Sequence, residues 1–250
     1  MEQAKTILEQ HLFQRGAAAV TGLRVASWNI HKGVGTDRRR DLTRTAAVIA
    51  EITPDIMALQ EADSRFGTRR GLLDMAAMAH DHGLLAVTVP DAGVAHGWHG
   101  NVLLLREAAV EDVHRITLPG LEPRGALITD LRVAGRPLRV IAVHLGLLPW
   151  SRTAQTRALT TLLAQMDTRP ALLMGDLNAW HAGTRALRHL GQHFHACVAV
   201  PSFPARSPMV SLDRIMASGT ARLTDGTAHT TLLARQASDH LPVTARLNLG

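Results

Sequence analysis

The sequence predicts an α/β protein, a single domain of two stacked sheets, and three observations carry that prediction. Apolar strand-like runs alternate with segments of helical spacing. A strand–helix–strand pattern occurs twice. Leu23-Arg24-Val25-Ala26 opens the first copy and Pro54-Asp55-Ile56-Met57 closes it; Leu138-Arg139-Val140-Ile141 opens the second and Pro170-Ala171-Leu172-Leu173 closes it, with openings 31 and 32 residues before their prolines. No linker-like or low-complexity stretch separates the halves, so residues 21–250 form one domain after an N-terminal extension, 1–20.

The elements follow in order. Leu23–Ile30 reads as a strand, and a Gly-rich turn at Gly33 and Gly35 leads to a helix over Asp41–Ile52, with Leu42, Ala46, Ile49 and Ala50 on one face and Arg44 off it. Thr53-Pro54 ends that helix, because the residue before proline disfavours helical backbone. Asp55–Leu59 is a buried strand, and Arg70–His80 reads as a second helix. Strand-like runs follow at Leu84–Val89, Asn101–Leu105, Val110–Leu118, Ala126–Val133 and Leu138–His144. Ser151–Met166 is helical, with Ala154, Ala158, Leu159 and Leu162 on one face. Ala171–Met174 is a strand, and further strands are expected at Ser211–Met216, Thr227–Leu232 and Leu241–Leu247.

Composition limits the function. A formal net charge of +6 favours anionic partners, although solubility alone explains it equally well. Cys197 is the only cysteine, so no intramolecular disulfide forms; its flanks read as strand or core, with a buried structural thiol. No apolar run is long enough to span a bilayer, and the first ten residues carry charges where a signal peptide needs its apolar stretch. Ile7, Leu8, Leu12 and Phe13 have rough helical spacing in an extension that is either helical or loose. The expectation is a soluble, cytoplasmic monomer without membrane insertion.

Chemistry concentrates at five strand ends, where a rigid strand opens onto a cleft. The first carries Asn29, a neutral hard ligand or a plain turn residue. The second carries Glu61 directly after an apolar run, where a cation or an arginine would satisfy it. The third carries His144. The fourth carries Asp176 and Asn178, two apart and therefore on one side of an extended segment. The fifth carries Asp239 and His240; Asp213 is placed to accept from the second ring nitrogen of His240 and fix its tautomer. In each half the first strand ends in a polar residue, Asn29 or His144, and the second in an acid.

Together the stretches WNIH (28–31), LQE (59–61), VHLG (143–146), GDLN (175–178), LDRI (212–215) and SDHLP (238–242) resemble the endonuclease/exonuclease/phosphatase superfamily of DNase I-like nucleases, abasic-site endonucleases, sphingomyelinases and inositol polyphosphate 5-phosphatases. They stand in family order across roughly residues 23–247. The resemblance implies a four-layer α/β sandwich, two mixed β-sheets face to face with helices outside. It implies Mg²⁺ or Mn²⁺ on Glu61, with Asn29 beside it and Asp239 completing or approaching the shell. Asp176 resembles the residue that orients or deprotonates the attacking water, and Asn178 a phosphate-holding donor. His240, paired with Asp213, either activates water or stabilises the phosphorane, and His144 contacts the leaving side.

Two departures argue against abasic DNA as substrate. His31 stands where abasic-site endonucleases have an acid, and the chain has no tyrosine. The run Asn-Ile-His-Lys-Gly (29–33) is instead similar to a bacterial branch of the family. Arg124, Asn101 and His31 are further candidates for binding phosphate or substrate. His96 and His99 lie in a Gly-rich loop that could line the cleft, Arg38-Arg39-Arg40 reads as a solvated helix start, and Leu147-Leu148-Pro149-Trp150 either as a lipid-facing loop or, the favoured reading, as a cap on the core under the following helix. The expected activity is hydrolysis of a phosphodiester in nucleic acid, phospholipid or a small molecule. The alternatives are a phosphomonoesterase and a binding module without catalysis.

Overall fold

The computed structural model describes residues 20–64 and 67–250. The extension 1–19, where the sequence predicts helical or loose chain, lies outside them. The remainder forms two six-stranded mixed sheets. The first contains β1 (Val20–Asn29), β2 (Ile56–Gln60), β3 (Leu85–Ala86), β4 (Val102–Leu105), β11 (Ala221–Ala228) and β12 (Val243–Leu249), in the order β11-β12-β1-β2-β4-β3. The second contains β5 (Ala109–Leu118), β6 (Arg124–Val133), β7 (Arg136–His144), β8 (Ala171–Asp176), β9 (Ala196–Val198) and β10 (Asp213–Ser218), in the order β5-β6-β7-β8-β10-β9.

The doubled sequence pattern becomes the centre of each sheet. β1 runs parallel to β2 with Asn29 opposite Gln60, joined by helix α1 (Leu42–Ile52); β7 runs parallel to β8 with His144 opposite Asp176, joined by α3 (Pro149–Leu163). Parallel pairs need a crossover of this kind, and the helix covers the sheet face it crosses.

Strand alternation sorts the apolar residues into three layers. Val25, Ala58, Val140, Leu172, Ile215 and Val243 form the core between the sheets. Trp28, Met57 and Leu59 turn outward under α1 and α2 (Met75–His82), against Val48, Ile49 and Met78. Ile141, Val143 and Leu173 turn outward on the second sheet, against Leu159 and Leu190 of α3 and α4 (Arg185–Gly191). Burial on both faces explains why the central strands read as continuous apolar runs. The predicted four-layer α/β sandwich is the observed fold.

Helix faces differ in detail from the prediction. Asp41 is the N-cap of α1 and accepts from the Arg44 amide. The buried face is Thr45, Val48, Ile49 and Ile52, and Arg44 is buried too, held by a two-pronged ion pair to Asp37 at 2.8 and 3.2 Å. In α3 the inward face is Arg152, Gln155, Thr156 and Leu159, while Ala158 is exposed. Its polar groups are spent on the loop after His144: Gly146 N donates to Gln155 Oε1 at 2.9 Å and Arg152 donates to Gly146 O at 3.1 Å.

Other expectations are corrected. The second helix begins at Met75, because Asp74 caps it by accepting from the Ala77 amide; Arg70–Asp74 precede it. The run predicted over Leu84–Val89 is a strand only at Leu85–Ala86, with one further backbone bond from Val87 N to Leu103 O at 2.9 Å. The late strand ends at Ala228, and Thr231 caps a short helix, α5 (Leu232–Ala237), so Leu232 is helical. Cys197 lies on β9, the last strand of its sheet among the described residues, and is exposed. Leu147-Leu148-Pro149-Trp150 does not cap the core: Leu147 and Trp150 face solvent, with the turn onto α3 made by Pro149 at its first position.

Candidate active site

The strand ends from both sheets meet at one seam. Asn29 ends β1 in the first sheet, and Asp176 ends β8 in the second. The Asn29 Nδ2 donates to Asp176 Oδ2 at 3.1 Å, so the two sheets are tied through this pair. His144, opposite Asp176 on β7, brings Nε2 to 3.4 Å from the same oxygen, and His240 brings Nε2 to 3.8 Å. Three nitrogens therefore surround one buried carboxylate oxygen. The other oxygen, Oδ1, accepts from the Asn178 amide at 2.9 Å. Asn178 takes positive φ to turn that amide back, and its side-chain nitrogen donates to Leu145 O at 2.9 Å.

His240 is held from every side. Its Nδ1 is 2.8 Å from Asp213 Oδ2, which also accepts from Ser202 Oγ at 2.6 Å. Its carbonyl accepts from Trp28 Nε1 at 2.9 Å, and its amide donates to Ser238 Oγ. The Phe203 ring lies 4.9 Å from the imidazole. Burial pulls the imidazolium down, but the charge and hydrogen bond of Asp213, with Asp176 and Asp239, push it up to about 10. At neutral pH this histidine is a cation whose Nε2–H faces Asp176. Burial and the nearby Asp213 push the Asp176 carboxyl up to about 6, against the opposing pull of His240, Asn178 and Asn29.

His144 has a different state. Arg124 Nη1 donates to its Nδ1 at 2.9 Å. Guanidinium has no acceptor, so Nδ1 carries the lone pair and the proton sits on Nε2, toward Asp176. Arg124 and His144 also line a cleft with Lys32, Glu61, Asp63 and His99. In it the Lys32 ammonium pairs with the Glu61 carboxylate. Burial pushes Glu61 up, but Lys32, with His31 and Arg124 beyond it, outweighs burial and holds the group below its usual range.

The donor set around Glu61 suits a hard cation. Glu61 and Asn29 leave adjacent parallel strands, both offer oxygen, and a cation, the Lys32 ammonium, already balances the glutamate. Asp176, Asp213 and His240 also place ligand atoms within 4.8 Å of one another. Much of that closeness is the hydrogen bond between Asp213 and His240 itself, and an imidazole held as a cation is a poor ligand.

The remaining predicted residues sit at the margins. His31 and Asp239 face each other at 3.6 Å, both partly exposed. Asn101 is fully buried, and its amide nitrogen donates to Trp98 O and Gly125 O at 3.1 and 3.0 Å, tying the Gly-rich loop to the start of β6. His99 lines the cleft, whereas the His96 ring is spent on Leu73 O. Lys32, Trp28, Ser202, Ser238 and Phe203 were not singled out from sequence. Lys32 and Ser238 lie inside motifs that were read; Ser202 and Phe203 reach the site only through tertiary contacts.

Two facing six-stranded sheets with helices outside, whose strand ends gather charged groups at one seam, define a fold of the DNase I-like kind. The chain belongs to the endonuclease/exonuclease/phosphatase family, whose family model matches residues 26–240. Proteins of this family are hydrolases of phosphate esters. No curated protein matches the chain. Among solved structures it is similar to an endonuclease/exonuclease/phosphatase from Beutenbergia cavernae, at 26% identity and a TM-score of 0.71 over 92% of this chain and 72% of that one. A D. rerio TDP2 complexed with a single-strand DNA product matches at 19% identity and a TM-score of 0.63, over 90% and 98%. A mannosyl-6-phosphatase from Bacteroides thetaiotaomicron matches at 15% and 0.63, over 90% and 99%. A complex with a DNA product and a sugar phosphatase share this fold, so the fold alone does not select a substrate.

Proposed function

We propose that the chain is a divalent-metal-dependent phosphodiesterase that hydrolyses its substrate by in-line attack of water. The observation that carries this reading is the convergence of Asn29, His144 and His240 on one oxygen of Asp176. An isolated buried carboxylate would not need three nitrogens. A site that moves a proton and then holds a phosphoryl group would.

Asp176, ionised above about pH 6, aims the water and takes its proton as the oxygen attacks phosphorus. The His240 imidazolium donates from Nε2 to a non-bridging oxygen as its charge grows, and Asp213 keeps it protonated. Arg124 and the second N–H of the Asn178 side-chain amide, whose first is held by Leu145 O, add donors at the same phosphoryl group. His144, with its proton on Nε2, donates a hydrogen bond to the leaving oxygen and stabilises its growing charge as the P–O bond breaks, and the departing alkoxide takes its proton from solvent water. Glu61 and Asn29, with Asp239 nearby, would hold Mg²⁺ or Mn²⁺. When bound, the cation supplies Lewis-acid charge that offsets the negative charge of the transition state.

The test is turnover of bis-p-nitrophenyl phosphate beside p-nitrophenyl phosphate, with Mg²⁺, with Mn²⁺ and with EDTA. Release from the diester that EDTA abolishes is expected. Release from the monoester alone would move the reading to a phosphatase. Undiminished turnover in a Glu61→Gln or His240→Ala protein would remove the site assignment.

A further inference from the structure

Four of the nine large apolar side chains exposed among the described residues lie together beside the site; Leu85, Val94, Val110, Met209 and Leu232 are not part of that patch. Leu121 is 74% exposed, Leu147 60%, Trp150 58% and Trp180 58%. They come from three loops that touch. Leu121 N donates to Ser151 Oγ, and Leu147 N donates to the inward-turned Glu122 carboxylate at 2.8 Å, so the loop before β6 lies against the loop after His144. Trp180 and Pro149 line one surface groove, and Pro149 and Trp150 line the next. The patch connects to the chemistry through rings: Trp180 packs edge-on to Phe203 at 6.1 Å, and Phe203 lies 4.9 Å from His240.

Behind this apolar rim stands a basic field. Arg157 on α3 and Arg185 and Arg188 on α4 are exposed and line a shared groove with His189. None of the three pairs with a carboxylate among the described residues. The local sequence explains this: residues 149–163 and 178–212 contain no Asp or Glu. Apolar side chains in front and unpaired arginines behind match the two layers of an anionic bilayer surface, acyl chains below and phosphate headgroups above. Tryptophan suits that boundary because its ring is apolar and its N–H is polar. A nucleic acid would use the arginines and could stack on the indoles, but Leu121 and Leu147 offer it no aromatic face.

We infer that this face docks on anionic phospholipid surfaces and presents a lipid headgroup phosphodiester to the site. The substrate half of that inference rests on the phosphoesterase reading above; the docking half does not. The full-length protein is sedimented with vesicles of phosphatidylcholine alone and of phosphatidylcholine mixed with phosphatidylglycerol. The variants are Leu147→Ser with Trp150→Ser, and Arg185→Glu with Arg188→Glu; each is also assayed on bis-p-nitrophenyl phosphate. The wild-type protein is expected to bind the mixed vesicles and not the neutral ones. Each double variant should bind at least about tenfold more weakly while keeping its turnover of the soluble diester. A wild-type protein that stays in the supernatant, or variants that bind as well as wild type, would overturn the inference. So would arginine-dependent binding to an oligonucleotide without vesicle binding, which assigns the face to nucleic acid, or a dimer that the Trp150→Ser change dissolves. Vesicle binding without turnover of any diester would instead sink the phosphoesterase reading and leave the docking surface standing.

Discussion

Replacing Asp213 by asparagine keeps the shape of the buried pair and removes one charge. Asp213 is fully buried, and its Oδ2 sits 2.8 Å from His240 Nδ1. Burial alone would pull the imidazolium below its ordinary value of 6.5, yet Asp213 and its acidic neighbours push it to about 10. If the substitution returns His240 to near 6.5, the imidazolium loses on the order of 5 kcal/mol of support, at about 1.4 kcal/mol per pH unit. At pH 8 the protonated fraction would fall from nearly all to roughly 3%, and at pH 6.5 only to about half. The ratio of wild-type to variant kcat should therefore climb from about twofold at pH 6.5 to about thirtyfold at pH 8. The folded pKa of His240 lies above the unfolded one, so its contribution to stability is complete below about 6.5 and disappears as pH rises through about 10. The assay is a pH–rate profile on a soluble diester, with ring-nitrogen NMR to follow His240 directly. A kcat ratio that stays flat with pH would refute the reasoning, since the charge on His240 would not matter. So would a wild-type His240 that titrates near 6.5.

The acidic limb of the same profile should fall near pH 6, because Asp176 must be ionised to take a proton and its carboxyl is pushed up to about 6; a limb near pH 4 would contradict this. Glu61→Gln should weaken Mg²⁺ binding about 100-fold by calorimetry while the circular dichroism spectrum stays unchanged, and equal affinity would place the metal elsewhere. Asn101→Ala should cost about 1–3 kcal/mol by removing the buried side-chain bonds to Gly125 O and Trp98 O, the latter keeping only the backbone donor of residue 101, read as a fall in the urea midpoint. Gly175→Ala should prevent stable folding, because its Cβ would stand 1.7 Å from the Val143 carbonyl oxygen; a soluble variant with wild-type melting would show that the strands part more readily than their register indicates.

The central strands were readable in the sequence because both their faces are buried. Leu23–Ile30 and Leu138–His144 are apolar on the core side through Val25 and Val140 and on the helix side through Trp28 and Ile141, so no other element fits them. The strand-end motifs were readable for a related reason: Asn29, Glu61, His144 and Asp176 interrupt apolar runs where water must reach the chain. What failed were elements whose status depends on distant contacts. Leu85–Ala86 pairs only because β4 lies alongside, and α5 forms because Thr231 caps it rather than continuing β11. The inward face of α3 is largely polar because it serves the loop after His144, so of the apolar face that the spacing predicts Leu159 is buried and Leu162 packs beside it, while Ala158 is exposed. Ser202 and Phe203 lie far in sequence from His240 and carry no motif, so only the packed structure brings them to it.

The two halves share a plan but do different work, and the difference follows from what each strand end faces. β1 and β2 deliver Asn29 and Glu61, oxygen donors beside Lys32 and Arg124, in a cleft where positive charge holds the carboxylate ionised. β7 and β8 deliver His144 and Asp176 into a buried seam, where burial raises the carboxyl until it is a useful base. In the proposed mechanism the second strand of one half leads to a cation-binding acid, Glu61, one residue past the register partner Gln60, and that of the other ends in a proton-accepting acid, Asp176. The hydrogen bond from Asn29 to Asp176 ties the halves together, so a substitution there should disturb both tasks. Asn29→Ala should weaken Mg²⁺ binding and shift the acidic limb of the rate profile upward, because Asp176 loses a donor that lowers its pKa. Asn178→Ala should leave metal binding alone, because its amide donor to Asp176 is backbone and remains. If Asn29→Ala changed one readout and spared the other, the two halves would act independently and the seam would be only a structural joint.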